Sequence, residues 1–290
     1  MPTMMLPRHE KFIRERQYLH NVTPATANWY RHCFRWLPTE EPTQRDLNDA
    51  VLRMRESGNR ITGCNSVIRC LNTYCHWLTG TDRSCGAGCT HPRLSKLREP
   101  HTVLPTFTEQ QVKLLVHHKP PARSLHQRKL HLLVLFLFDT GARITEALTL
   151  HMQDIDFNNL LVTLDGKGRK QRIVPFSPEL RRPLYRWTQE QKLKPGDRAF
   201  GTSVGTLWSR HNVLRNIKTL CRHLGFEPPA RTTHALRHTY ATNYLRRGGN
   251  VFLLQRSLGH NDLSTTRTYV HMNTDDLTAA HHKVSLLSTR

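Results

Sequence analysis

The chain has 290 residues, with 43 Lys and Arg against 22 Asp and Glu, a formal net charge of +21. That length allows sizeable cores and favours two domains, and the charge points to a polyanion, nucleic acid or an anionic membrane surface. Both parts are basic, with 15 basic against 9 acidic residues in 1–100 and 28 against 13 in 101–290, so each could face a duplex.

Arg outnumbers Lys, which suits phosphate recognition through a rigid, two-pronged donor. The most apolar run, LHLLVLFLF from Leu130 to Phe138, is far too short to span a bilayer and reads as a buried helix. The start, MPTMMLPRHEKF, lacks the apolar stretch of a secretion signal. Seven cysteines without such a signal imply reduced thiols in a cytoplasm.

Residues 1–80 read as an all-α module. Thr23 caps a helix with Pro24 at its first position, and Thr43 to Asp46 forms a capping box for the next. Ile61 to Leu78 repeats apolar residues at helical spacing, with Gly80 beyond. Nothing in this part clusters acids or bases, so its expected task is DNA binding rather than chemistry. Residues 81–105 are rich in Gly, Pro and Arg without periodicity and read as a linker. Cys85, Cys89 and His91 lie there, near Cys75 and His76. Their spacing is not a zinc signature, so no metal is assigned.

Residues 106–290 form a second domain, mostly helical with a small sheet. Thr108 to Gln111 is a capping box for a helix reaching about His118. Helices are then expected over about 124–140, within 142–150, and over 178–191, 206–224, 234–247, 251–258, 264–270 and 275–286. Leu160–Leu164 and Gln171–Phe176 read as a β-hairpin with the basic tip DGKGRK between them.

The chemistry concentrates near the end. His234 and Arg237 are spaced to leave one helix face, with Thr232 and Thr233 read as its caps, where a helix start attracts phosphate. Leu258-Gly259-His260 follows, and nine residues on comes Tyr269 within STTRTYVH. Two imidazoles, a guanidinium and a phenol suit phosphoryl transfer through a covalent ester. The phenol needs a base or a strongly positive setting, since its ordinary pKa is about 10.

The stretch HALRHTYATNYLRRGGNVFLLQRSLGHNDLSTTRTYVH resembles the C-terminal signature of the tyrosine recombinases, also called the phage integrase family. The family's Thr-Gly-x-Arg-x-x-Glu segment is matched by Thr140-Gly-Ala-Arg143-Ile-Thr-Glu146, and its hairpin Lys by Lys167 in GKGRKQRIVP. The resemblance implies that Tyr269 is the nucleophile, that Arg143, Arg237 and His260 hold the phosphate, and that Lys167 protonates the leaving oxygen. His234 is the expected base, with Arg169 and Lys170 as rivals for the Lys167 role. Glu146 is expected to orient Arg143 or a neighbouring helix, or else to be a surface partner of that Arg. Arg169, Lys170 and Arg172 are expected on backbone phosphates.

The resemblance implies a two-domain, Xer-like enzyme whose helical N-terminal part is a SAM-like core-binding domain. It implies site-specific recombination of double-stranded DNA through a Holliday junction, without metal or other cofactor. It implies a homo-tetramer, a dimer on each site. A C-terminal helix near 275–290, anchored by Leu277, Val284, Leu286 and Leu287, would swap between subunits. A type IB topoisomerase-like enzyme and a non-catalytic DNA-binding protein are the alternatives. The short run before the helical module leaves no room for a further DNA-binding arm.

Overall fold

The computed structural model describes residues 5–80, 91–99, 105–166, 171–202 and 204–259. The chain divides into two compact units, Met1–Thr102 and Val103–Arg290, and is mainly helical with one small antiparallel sheet.

The first unit packs α1 (Pro7–Tyr18), α2 (Pro24–Phe34), α3 (Gln44–Glu56) and α4 (Ile61–Leu78). The helix starts follow their capping chemistry. Thr23 Oγ1 accepts from the Thr26 N–H at 3.3 Å. At α3 the Thr43 hydroxyl accepts from the Asp46 N–H while the Asp46 carboxylate accepts from the Thr43 N–H, so unpaired amides are satisfied from both sides. Phe12, Tyr30, Phe34 and Tyr74 meet edge to face in the core, beside the buried thiols of Cys33, Cys64, Cys70 and Cys75.

Part of the expected linker belongs to this unit. Residues 91–99 lie along α4, two of whose asparagines act as a surrogate strand edge. Asn72 accepts from the Leu94 N–H and donates to its carbonyl, and Asn65 does the same for Leu97. Leu94 is buried beneath them, so this stretch is held by both main-chain pairing and apolar burial.

The second unit runs α5 (Glu109–His117), α6 (Leu125–Thr140), α7 (Ile144–Thr149), a 3-10 turn (Met152–Asp154), β1 (Ile155–Asp156), β2 (Leu161–Asp165), β3 (Gln171–Pro175), α8 (Pro178–Glu190), α9 (Arg210–His223), α10 (Thr232–Arg246) and α11 (Val251–Leu258). The apolar α6 lies at the centre, burying Leu132, Leu133, Val134, Phe136 and Leu137. The strands pair in the order β1-β2-β3, all antiparallel. Val162 opposes Val174, and Leu164 opposes Arg172.

Three local differences from the sequence reading have physical causes. Helix α9 starts at Arg210 rather than 206, because Thr202 and Thr206 close a turn through both backbone and hydroxyls. Helix α10 starts at Thr232, with Arg231 as its N-cap. Thr232 and Thr233 are therefore not caps; the buried Thr232 hydroxyl donates back to the Pro229 carbonyl. Strand β1, only two residues long, was not expected. The helices expected over 264–270 and 275–286, with Leu277, Val284, Leu286 and Leu287, lie outside the described residues.

Candidate active site

The site starts where α6 stops. Gly141 caps that helix in the left-handed region, at φ 62°, which favours a residue without a β-carbon. The ring of Tyr240 fills the space that a β-carbon would need. From this turn the chain enters α7 with Arg143 extended at the N-cap.

Glu146, one turn into α7, organises what surrounds it. Its carboxylate accepts from the Arg143 backbone N–H at 2.7 Å and from the Arg143 guanidinium at 2.8 Å. It also accepts two bonds from Arg172, at 2.8 and 2.7 Å. The Glu146 side chain is 3% exposed, against 43% for Arg143. Glu146 is thus buried, not a surface partner. Burial alone would raise its pKa, but the two arginines outweigh that and hold it at about 2. Arg143 keeps part of its guanidinium toward solvent.

Arg172 is placed differently from the expectation that it meets a backbone phosphate. Its side chain is 10% exposed, and Nε donates to the Ser257 carbonyl at 2.7 Å while both η nitrogens engage Glu146. A guanidinium held this way is committed to the protein interior.

Helix α10 presents Arg237 and His234 in contrasting settings. Arg237 is buried; it donates to the Gly141 carbonyl at 2.8 Å and to the Leu258 carbonyl. His234 stays accessible. Partial enclosure, then the positive field of Arg210, Arg231, Arg237 and Arg143, lowers its pKa below 6.5. Its neighbour His238, with near-parallel rings 6.4 Å apart, is pushed down to about 4 by burial first, then by His234, Arg237 and Arg231. Both imidazoles are therefore neutral at pH 7, and a neutral ring can accept a proton.

The structure thus brings together Arg143, Glu146, Arg172, His234 and Arg237. Lys167, Arg169 and Lys170 lie outside the described residues, between the paired strand ends Asp165 and Gln171. His260 and Tyr269 also lie outside; α11 ends at Leu258, and its cap Gly259 is the residue before His260. The sequence reading missed Arg210 and Arg231. Each is a cation at a helix start, where the macrodipole disfavours it, and that misfit was the available signal. Among the described residues no group of three or more His, Cys, Asp or Glu could hold a metal ion. Cys85 and Cys89 lie outside them, and His91 packs against His76.

Residues 105–276 match the Phage integrase family, and the chain belongs to that family, the tyrosine recombinases. It is 30% identical over 257 residues to tyrosine recombinase XerA of Pyrococcus horikoshii, covering 86% of this chain and 82% of that one. It is 31% identical over 266 residues to tyrosine recombinase XerD of Vibrio vulnificus, covering 88% and 82%. Its fold resembles that of XerH site-specific recombinase bound to a palindromic difH substrate, with a TM-score of 0.73 at 19% identity, over 94% of this chain and 83% of that one. Among the described residues no helix is long and apolar enough to cross a membrane.

Proposed function

We propose that the chain is a site-specific recombinase that cuts and rejoins double-stranded DNA through a 3′-phosphotyrosyl ester. The observation that carries this reading is the meeting of Arg143 and Arg237 at one turn, with Arg237 bonded to the Gly141 carbonyl two residues before Arg143. Two guanidiniums so placed suit the non-bridging oxygens of a pentavalent phosphorus.

In this reaction the Tyr269 phenolate oxygen attacks phosphorus and the bond to the 5′ oxygen breaks. His234, neutral at pH 7, takes the phenol proton, and Lys167 supplies a proton to the departing 5′ oxygen. His260 adds a hydrogen bond to the phosphoryl oxygens. The bond energy stays in the ester, so rejoining needs no nucleotide and no metal. The helical unit 1–102 clasps the duplex, Arg169 and Lys170 meet backbone phosphates, and exchange passes through a Holliday junction. The active form is a tetramer on two sites, a dimer on each, with the C-terminal segment near 275–290 docked on a neighbouring subunit. The enzyme works in the cytoplasm. Relatives named tyrosine recombinases and the DNA-bound structural neighbour support this reading.

The test uses a pool of nicked duplexes with a randomised core, in which cleavage releases a short fragment and traps the ester. Wild type should form a denaturant-resistant adduct, and sequencing the trapped DNA names the site. Tyr269→Phe should bind the recovered duplex and trap nothing. A normal adduct with Tyr269→Phe would remove the nucleophile assignment. Relaxation of plasmids lacking the recovered site would instead indicate a topoisomerase.

A further inference from the structure

Two arginines on different elements fasten the same two stretches of chain. From α10, Arg237 reaches the Gly141 carbonyl and the Leu258 carbonyl. From β3, Arg172 reaches the Glu146 carboxylate and the Ser257 carbonyl. One stretch, 141–146, carries Arg143. The other is the last turn of α11, after which come only Gly259 and then His260.

The chemistry of α11 explains why both cations go there. A helix leaves its last carbonyls without intrahelical partners, and its dipole makes that end attractive to cations. The shaft of Arg172 also crosses the turn that follows. A β-carbon on Gly259, itself at φ 64°, would lie 2.9 Å from Arg172 Cδ. Arg172 thus touches α7, α11 and the turn before His260, while sitting two residues past Lys170 on the hairpin.

We propose that Arg172 is a positioning residue: by joining strand β3 to Glu146 and to the end of α11, it sets the position of α7, and with it Arg143, relative to the turn at Gly259, and fixes the base of the hairpin at Gln171. The proposal rests on the recombinase reading given above. It replaces a direct phosphate contact as the expected role, since the Nε proton and one N–H of each η nitrogen are already bonded within the protein.

The experiment measures three things for each variant: adduct formation at saturating enzyme on the duplex recovered with wild type, affinity for that duplex, and thermal unfolding. Arg172→Lys keeps the charge but cannot form the fork. It should bind DNA as wild type does and cleave roughly 10²-fold more slowly, as small misplacements of reacting groups do. Arg172→Met leaves Glu146 short of a partner and should unfold at lower temperature. Adding Glu146→Gln removes the buried carboxylate then left with Arg143, so the unfolding temperature should recover in part while cleavage stays slow. Recovery of cleavage together with unfolding temperature would overturn the proposal, since Arg172 would then serve stability alone. Weaker DNA binding with a salt slope reduced by about 1, and an unchanged rate once bound, would also overturn it in favour of a phosphate contact. Wild type that traps no duplex at all is a separate result; it removes the recombinase reading before any variant is made.

Discussion

The ring of Tyr240 lies where a β-carbon on Gly141 would be, with Cδ1 and Cε1 crowding that position. The left-handed turn between α6 and Arg143 therefore depends on glycine twice, for its backbone angle and for the seat it gives an aromatic ring. Tyr240, a partly buried phenol whose pKa is pushed up to about 12 chiefly by that burial, is a wedge and not a titrating group at pH 7.

Gly141→Ala should accordingly destabilise the fold by about 1–3 kcal/mol through overpacking, with strain at positive φ added. Adduct formation should fall as well, because Arg143 follows two residues later. Combining it with Tyr240→Leu should recover only the steric share. Chemical denaturation of the three variants measures both parts.

Glu146→Ala should be more damaging than its size suggests. It leaves the buried Arg172 guanidinium without its carboxylate, a loss of about 3–5 kcal/mol for a broken buried pair. The same carboxylate sets a pH limit. Its folded pKa of about 2 is depressed below the ordinary 4.5, so its contribution is complete above pH 4.5 and is lost as pH falls toward 2. Denaturant midpoints across that window should drop in wild type and drop less in Glu146→Gln.

The rate of adduct formation should carry the titration of His234. A neutral ring is the active form of a base, and its pKa lies below 6.5. The rate should be level above pH 6.5 as far as His234 is concerned, and should decline as pH falls through that depressed value. His234→Gln should lose about 10²–10⁴ in rate and lose this acid limb with it. An acid limb that persists unchanged in the variant would assign the base elsewhere.

Arg210 offers a cross-check. After partial enclosure, it is the largest influence holding down the His234 pKa. Arg210→Gln should therefore move the acid limb to higher pH, since removing a positive neighbour favours the protonated ring. If it also meets a DNA phosphate, the salt slope of binding should fall by about 1. The pH profile and the salt titration read these two effects separately.

How far the sequence reveals the fold depends on how local the governing physics is. Thr23, Thr43 and Thr108 state their helix starts outright, because a cap needs only its own three or four residues. The left-handed stop at Gly141 and the α11 span Val251–Leu258 were legible for the same reason. Contacts that close over long sequence distances were not. The 91–99 stretch looks like linker until Asn65 and Asn72, two turns apart on α4, are seen to pair with it. Arg231 became the α10 cap because Thr232 turned its hydroxyl back to Pro229.

The site shows the same division. His234 and Arg237 could be named from their helical spacing, and Arg143 and Glu146 from the resemblance to the family's Thr-Gly-x-Arg-x-x-Glu segment. Arg172 could be named but not understood. Its charge suggested phosphate, whereas its bonds run to Glu146, 26 residues away, and Ser257, 85 residues away.

The Glu146–Arg172 pair has a consequence for how sequences of this type should be interpreted. A half-exposed Arg143 can be lost with little harm to folding, and an unused nucleophile can drift. A buried carboxylate bound to a buried guanidinium cannot lose one member without leaving an unmatched charge. An inactive descendant would therefore be expected to keep Glu146 and Arg172 long after its chemistry had decayed. Their presence in a chain testifies to an intact scaffold, and says nothing by itself of a working enzyme.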